Sequence, residues 1–431
     1  MATMSLEGAA IGPQANAGNL SDAKVFAFRI FALYCAIFYV TPAILIFFFG
    51  NGLSAVIRPT PNYLAGFFYI LFSFALFFIS LKLPTVRLPL IGKTLGRLAF
   101  DPRFAVYYAA FFVVFALATR STLDLSFRQT GSALAEVGAI GFVMQFLKIF
   151  FAISILVHYR MVHEQIGRRL RSIVLLLIAL GFAFSIQASL DILFVFCALL
   201  ASGMKWRRLL GLHLRIVRRA AIAVIPLILL AALFVGIANK QGIEQAFQTL
   251  SNPEAIAAIF SSRLSYHFTS TSMHVSENFF NFGMFFEAIK NIFNTMLYRF
   301  SVVLGFDGVA KPEVVSVARM NFLQLSSFWR DRTGISPSII GSTFFLPGAG
   351  FAILYYVFII RGVALLIGRI LAPHMNNIPF LLLGVVTLGG VLDAALDNLN
   401  PLSNGFIRLF FLYLGMVYVI VTLRNRANAP D

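Results

Sequence analysis

Charge is what this sequence has least of. Only 12% of its 431 residues are Asp, Glu, Lys or Arg, against about a quarter in an ordinary soluble chain. Hydrophobic residues make up 59% and the mean hydropathy is +0.87. So little polar surface cannot cover a folded protein in water, and a water-soluble globular enzyme is excluded. Cysteine is nearly absent: Cys35 and Cys197 both fall within apolar runs, which argues against a disulfide framework. No Walker A loop, dinucleotide glycine fingerprint or Gly-x-Ser-x-Gly elbow occurs. His158, His163 and Glu164 lie close together without zincin spacing. These gaps speak against an ATP-driven pump or a metalloprotease, and neither a metal nor another cofactor is expected. The first 20 residues hold no Lys, no Arg and no apolar core. Residues 1–23 are therefore read as a disordered tail rather than a signal peptide.

What is present is a series of long apolar runs. A membrane-crossing helix takes roughly 20 apolar residues. Candidates lie near 26–49, 62–82, 104–119, 137–158, 220–238, 339–360, 379–396 and 405–423. The run 172–204 is interrupted by Gln187, Ser189 and Asp191, which fits two short helices. The expectation is an all-α polytopic membrane protein of about 10 transmembrane helices. Residues 24–424 form its one membrane domain, and 425–431 a C-terminal tail.

Basic residues outnumber acidic ones by 34 to 17. They are clustered, in connections holding Arg87, Lys93, Arg97 and Arg103, then Arg160, Arg168, Arg169 and Arg171, then Lys205 to Arg219, and finally Arg361, Arg369, Arg424 and Arg426. Connections around 50–61, 187–190 and 397–404 are poor in them. The alternation puts both termini in the cytoplasm by the positive-inside rule. It also explains the +17 net charge without nucleic acid as a partner.

One outer connection is long, residues 239–338. Long loops are often functional. Within it 253–263 and 279–303 show helical periodicity, which predicts amphipathic helices on the outer face. A smaller outer connection spans 120–136. These loops hold Arg120, Arg128, Arg263, Arg299, Arg319, Arg330 and Arg332. Guanidinium groups bind phosphate through paired, charge-assisted hydrogen bonds. As a set, beside a lipid-embedded cavity, they suit a pyrophosphate-bearing lipid; singly, each is as well explained by solvent or headgroup contacts. Arg263, Tyr266 and His267 span one helical turn, and His274 and Glu277 have similar spacing. A His or Glu near arginines can deprotonate a sugar hydroxyl, although ordinary surface polarity explains each of them equally well. Lys148 and Asp191 stand out as ionisable residues within apolar runs.

The stretch Arg332-Thr-Gly334-Ile-Ser336-Pro337-Ser338-Ile-Ile-Gly341, followed by an apolar run from Phe344, resembles one place in a known family. It is similar to the end of the large outer loop of Wzy-type O-antigen and oligosaccharide repeat-unit polymerases, with their Gly-x-Ser-Pro-Ser-x-x-Gly signature. Pro337 and the glycines break local structure, and Ser336 or Ser338 can cap a following helix. The resemblance covers roughly residues 170–365. Ser342 stands where family members often have Glu, and Ser185 to Asp191 replaces their Gly-Ser-Arg-Gly turn. Arg120 to Gly131 and Arg330 to Gly341 reproduce an arginine–glycine spacing of some O-antigen polymerases.

The resemblance implies a glycosyltransferase of the bacterial inner membrane. It would use oligosaccharide repeat units on undecaprenyl pyrophosphate at the periplasmic face. Arg263, Arg299, Arg330 and Arg332 would stabilise the departing pyrophosphate. Asp331, His267, Glu277 and His274 are the candidate bases. Arg120, Arg128, Tyr266, His274 and Arg319 would contact substrate. A chain-length regulator and a flippase of the same pathway would be its protein partners. An O-antigen ligase, a transporter or flippase of polysaccharide intermediates, and a non-catalytic scaffold are the alternatives.

Overall fold

A computed structural model of the protein describes residues 20–49, 61–84, 242–277, 282–306, 316–325, 334–371 and 378–392, with isolated positions at 111–118, 230–238 and 308–314. Among the described residues every regular element is helical and there is no strand. Among the described residues three helices are long and apolar enough to cross a membrane: Leu20–Phe48, Tyr63–Lys82 and Ala349–Gly368. The spans expected near 104–119, 137–158, 172–204, 220–238 and 405–423 lie outside the described residues or touch only isolated positions, and so do Lys148 and Asp191.

The first long helix is α1 (Leu20–Cys35), a π-helical turn (Ala36–Val40) and α2 (Thr41–Phe49). Pro42 explains the widened turn. It has no N–H for the carbonyl four residues back, and its ring crowds that carbonyl. The chain accommodates it with a π turn. Both the backbone N–H and the hydroxyl of Thr41 then turn to the Ala36 carbonyl.

Next comes α3 (Tyr63–Lys82). Asn62 caps it, with Oδ1 accepting from the Ala65 N–H at 3.0 Å. The long loop then folds as α4 (Ile243–Leu250), α5 (Pro253–Glu277), α6 (Phe282–Leu304) and α7 (Val317–Leu325). The expected segment 253–263 is thus part of a longer helix, and α6 takes up the expected 279–303 from residue 282 onward. The start of α5 is legible: Asn252 caps it by accepting from the Glu254 and Ala255 N–H groups, and Pro253 takes the first helical position.

The span expected near 339–360 begins later. Residues 338–345 fold apart from it, as a one-turn helix α8 (Ser338–Gly341) and a 3-10 turn (Ser342–Phe345). Pro347 and Gly348, the latter at φ +117°, end that unit before α9 (Ala349–Leu354) starts. A second π turn (Tyr355–Ile360) links α9 to α10 (Arg361–Leu371), and α11 (Ile378–Leu392) follows.

Small residues set the helix crossings. In lipid there is little hydrophobic drive between helices, so close backbone approach matters. A Cβ on Gly368 of α10 would collide with the Ala23 carbonyl of α1. One on Gly384 of α11 would lie 2.7 Å from Ile30 Cγ2. One on Gly66 would strike the Ser272 side chain, so α5 lies directly on α3. Around these crossings Phe26, Ile30, Phe31, Tyr34, Phe77 and Leu388 form a buried core. Helix α6 stands differently. Met284, Ala288 and Ile292 pack on Val317, Met320 and Phe345. Its other side exposes Phe282, Phe286, Phe293, Leu297, Phe300 and Leu304, an apolar stripe at helical spacing.

Candidate functional site

A polar cluster sits where α5 meets α7 and residues 334–345. Ser265, Thr269, Ser270, Thr271, Ser272 and His274 of α5 are all buried. The polar side of this helix therefore faces inward. Each such group needs a partner, because an unpaired buried polar atom costs roughly 1–3 kcal/mol.

Asn321 of α7 supplies much of what is needed. Its Oδ1 accepts from Ser270 Oγ at 2.9 Å and from His274 Nε2 at 2.7 Å. Its Nδ2 donates to the Ile335 carbonyl at 2.9 Å. The Ile335 N–H donates in turn to the Ala318 carbonyl at 2.9 Å. Gly334 passes so close to α7 that an added Cβ would lie 3.4 Å from the Ala318 backbone. The start of the signature-like segment is thus laid along α7 and tied to α5.

His267 lies two turns before His274 and holds the next residue. Its Nδ1 donates to the Ser336 carbonyl at 3.3 Å, and Phe38 of the first π turn meets its ring edge-on at 5.2 Å. Part of its edge reaches the surface, yet the surrounding side chains still act as burial. Burial lowers the pKa of both imidazoles to about 4, against a weaker raising effect of their hydrogen bonds. Both are neutral at pH 7. Their partners fix the tautomers: Nδ1–H in His267 and Nε2–H in His274.

Ser336 Oγ accepts from the Ser338 N–H at 3.0 Å. Ser338 has φ 68°, the left-handed region, which costs a non-glycine residue about 1–2 kcal/mol. It is fully buried there, and its hydroxyl is hydrogen-bonded to the Tyr39 hydroxyl. Tyr39 also accepts from the Ile340 N–H at 3.3 Å. The one-turn helix is therefore capped by a tyrosine about 300 residues earlier in sequence, and no side chain of its own caps it. Tyr69 of α3 donates to Thr343 Oγ1 at 2.7 Å, and Thr343 donates to the Ile340 carbonyl. Phe344 lies between the rings of Tyr69 and His274, tilted on the first and stacked on the second, with centroids at 4.8 and 5.5 Å.

The sequence candidates fall into three groups. His267 is brought to the Ser336 carbonyl, and His274 to Asn321 and the Phe344 ring. Glu277 is exposed at the last residue of α5, Tyr266 is half-buried, and Arg319 is buried with its guanidinium 5.3 Å from the Phe322 ring. Arg263 and Arg299 lie on α5 and α6 and are described by backbone position alone. Arg120, Arg128, Arg330, Asp331 and Arg332 lie outside the described residues. Among the described residues no three His, Cys, Asp or Glu side chains gather as metal ligands do.

Tyr39, Tyr69 and Asn321 were not sequence candidates. A tyrosine inside an apolar span was a usable signal, because a buried hydroxyl usually finds a partner. Asn321 gave less, being one polar residue in a mixed stretch. No family model matches the chain, no curated protein matches it, and no solved structure matches it.

Proposed function

We propose that this protein is a polysaccharide polymerase of the O-antigen type, a glycosyltransferase of the bacterial inner membrane that works at the periplasmic face. It transfers a growing glycan from undecaprenyl pyrophosphate to a sugar hydroxyl of an incoming lipid-linked repeat unit. The bond from the sugar to pyrophosphate breaks and the pyrophosphate leaves with the electron pair. A glycosidic bond forms, and the acceptor proton goes to a base.

One observation supports this reading above others. The stretch that resembles the family signature, Gly334 to Gly341, is held by side chains from three other helical elements: His267 to the Ser336 carbonyl, Asn321 to the Ile335 carbonyl and Tyr39 to the Ile340 N–H. A segment of ordinary loop has no need of that restraint, whereas a reacting site must hold its groups in fixed geometry.

In this reading Arg263, Arg299, Arg330 and Arg332 stabilise the leaving pyrophosphate without a metal. Asp331, Glu277 or His267 takes the proton. A histidine held near pKa 4 is a weak base, and an adjacent pyrophosphate would raise it toward working pH. Arg120, Arg128 and Tyr266 contact substrate, while His274 and Arg319, named with them from the sequence, are buried and support the site from within. A chain-length regulator and a flippase work beside it.

Electrophoresis of surface glycan tests the reading in cells lacking the gene, complemented with wild type, Arg263→Ala or Arg330→Ala. The expected result is a ladder collapsed to one repeat unit and restored by wild type alone. Polymer left on the lipid carrier, with none on the core, would instead indicate a ligase. An unchanged ladder would sink glycan assembly and bring a transporter forward.

A further inference from the structure

A crevice of about 190 Å³ opens between α3 and the stretch from α9 into the second π turn. Tyr69, Phe72 and Leu76 form one wall, and Ala352, Ile353 and Tyr356 the other. Phe72 and Ile353 are exposed at its rim. Both walls belong to helices apolar enough to cross a membrane, so the medium outside the rim is hydrocarbon.

Three properties define what fits. The lining is almost wholly apolar, so water entering would lack the 2–4 polar partners, roughly, that hold a buried water. Left void, the lining would lose its dispersion contacts. The volume lies well below the roughly 300 Å³ at which pockets for whole small molecules begin. A single flexible hydrocarbon chain meets all three conditions. Small side chains at Ala349 and Ala352 keep one wall open, while aromatic and leucine side chains supply contact from the other.

We propose that this crevice is a lipid site that seats one acyl chain of a phospholipid drawn from the surrounding bilayer. Phospholipid is the bulk source of chains at the rim, so occupancy follows by mass action. The site has a structural consequence. Its wall residue Tyr69 also hydrogen-bonds Thr343 and packs at a tilt on Phe344, which stacks on His274. A chain in the crevice thus braces the aromatic wall behind the polar cluster. The lipid site stands whether or not the proposed glycosyl transfer is correct.

The test uses the full chain in nanodiscs of phosphatidylethanolamine and phosphatidylglycerol. A trace of phosphatidylcholine carrying a diazirine in one acyl chain supplies the label. After illumination, labelled residues are mapped by mass spectrometry. Labelling of Phe72 and Ile353 should exceed that of Phe48, which is exposed on the first long helix, by about fivefold. Ala352→Phe fills the crevice, and Ala349→Phe, at an exposed rim position, blocks its mouth without touching the core. Each should remove the excess and leave Phe48 labelling unchanged. Even labelling of Phe48, Phe72 and Ile353, or an excess that survives Ala349→Phe, would overturn the site. Loss of the excess on adding unlabelled polyprenyl phosphate at a few mole per cent would overturn phospholipid as the occupant.

Discussion

His274 donates from Nε2 to Oδ1 of Asn321 at 2.7 Å, across 47 positions of sequence. The donor must be a neutral imidazole, because burial holds its pKa at about 4. In the unfolded chain the same group titrates near 6.5. A base whose folded value is depressed contributes stability that is present above pH 6.5 and is lost as pH falls toward 4. His267 carries a shift of the same sign.

Thermal unfolding in detergent should therefore be flat above about pH 6.5, the unperturbed histidine value, and should fall steeply between 6.5 and 4. His274→Phe should shallow that fall, since one of the two titrating groups is gone. A slope identical in wild type and His274→Phe would show that this imidazole does not titrate differently on folding.

Asn321→Leu removes one acceptor and one donor, leaving Ser270, His274 and the Ile335 carbonyl without their partner. At a fully buried position the loss should reach roughly 3 kcal/mol or more, since each orphaned group costs about 1–3. Limited proteolysis should then cut first near residues 334–337, which lose the side-chain bond from Asn321 of α7 to the Ile335 carbonyl. Wild-type resistance there would mean that the backbone bond from Ile335 to Ala318 suffices.

Tyr39→Phe should destabilise by about 1–3 kcal/mol, because it orphans the Ser338 hydroxyl and the Ile340 N–H. Ser338→Gly relieves the left-handed backbone but gives up the hydroxyl. In the Tyr39→Phe background that hydroxyl has already lost its Tyr39 partner. There Ser338→Gly should restore stability by about 1 kcal/mol, while in wild type it should gain less or lose. Equal effects in both backgrounds, measured by denaturant unfolding, would show that the two residues are uncoupled.

Gly66→Val should separate α3 from α5, since even a Cβ there meets Ser272. Ser272→Gly should recover part of the loss by removing the side chain that is struck. A cysteine pair across this crossing, read by cross-linking yield, follows the separation directly. An unchanged yield in Gly66→Val would place the contact elsewhere.

Much of the fold was legible where local rules suffice. Asn252 and Pro253 announce the start of α5, and the apolar runs 26–49 and 62–82 correspond to the first two long helices. The 339–360 run misleads because hydropathy does not register that Pro347 and Gly348 split it. Helix α5 shows the other failure. His267 and His274 read as part of a polar outer face, yet they turn to the Ser336 carbonyl and to Asn321. A polar stripe reads as a solvent face until another polar surface is found to cover it.

The sequence by itself determined the medium and the elements. Too little charge and too many long apolar runs require helices that satisfy their own backbone groups in lipid, and that conclusion needs no coordinates. It also marked Gly334 to Gly341 as unusual. Only the tertiary structure decided what holds that segment. The partners of Ser336, Ser338 and Ile340 come from Tyr39 and His267, far away in the chain. Those bonds form because buried polar groups must pair, and which groups are buried together is a property of helix packing rather than of any local pattern.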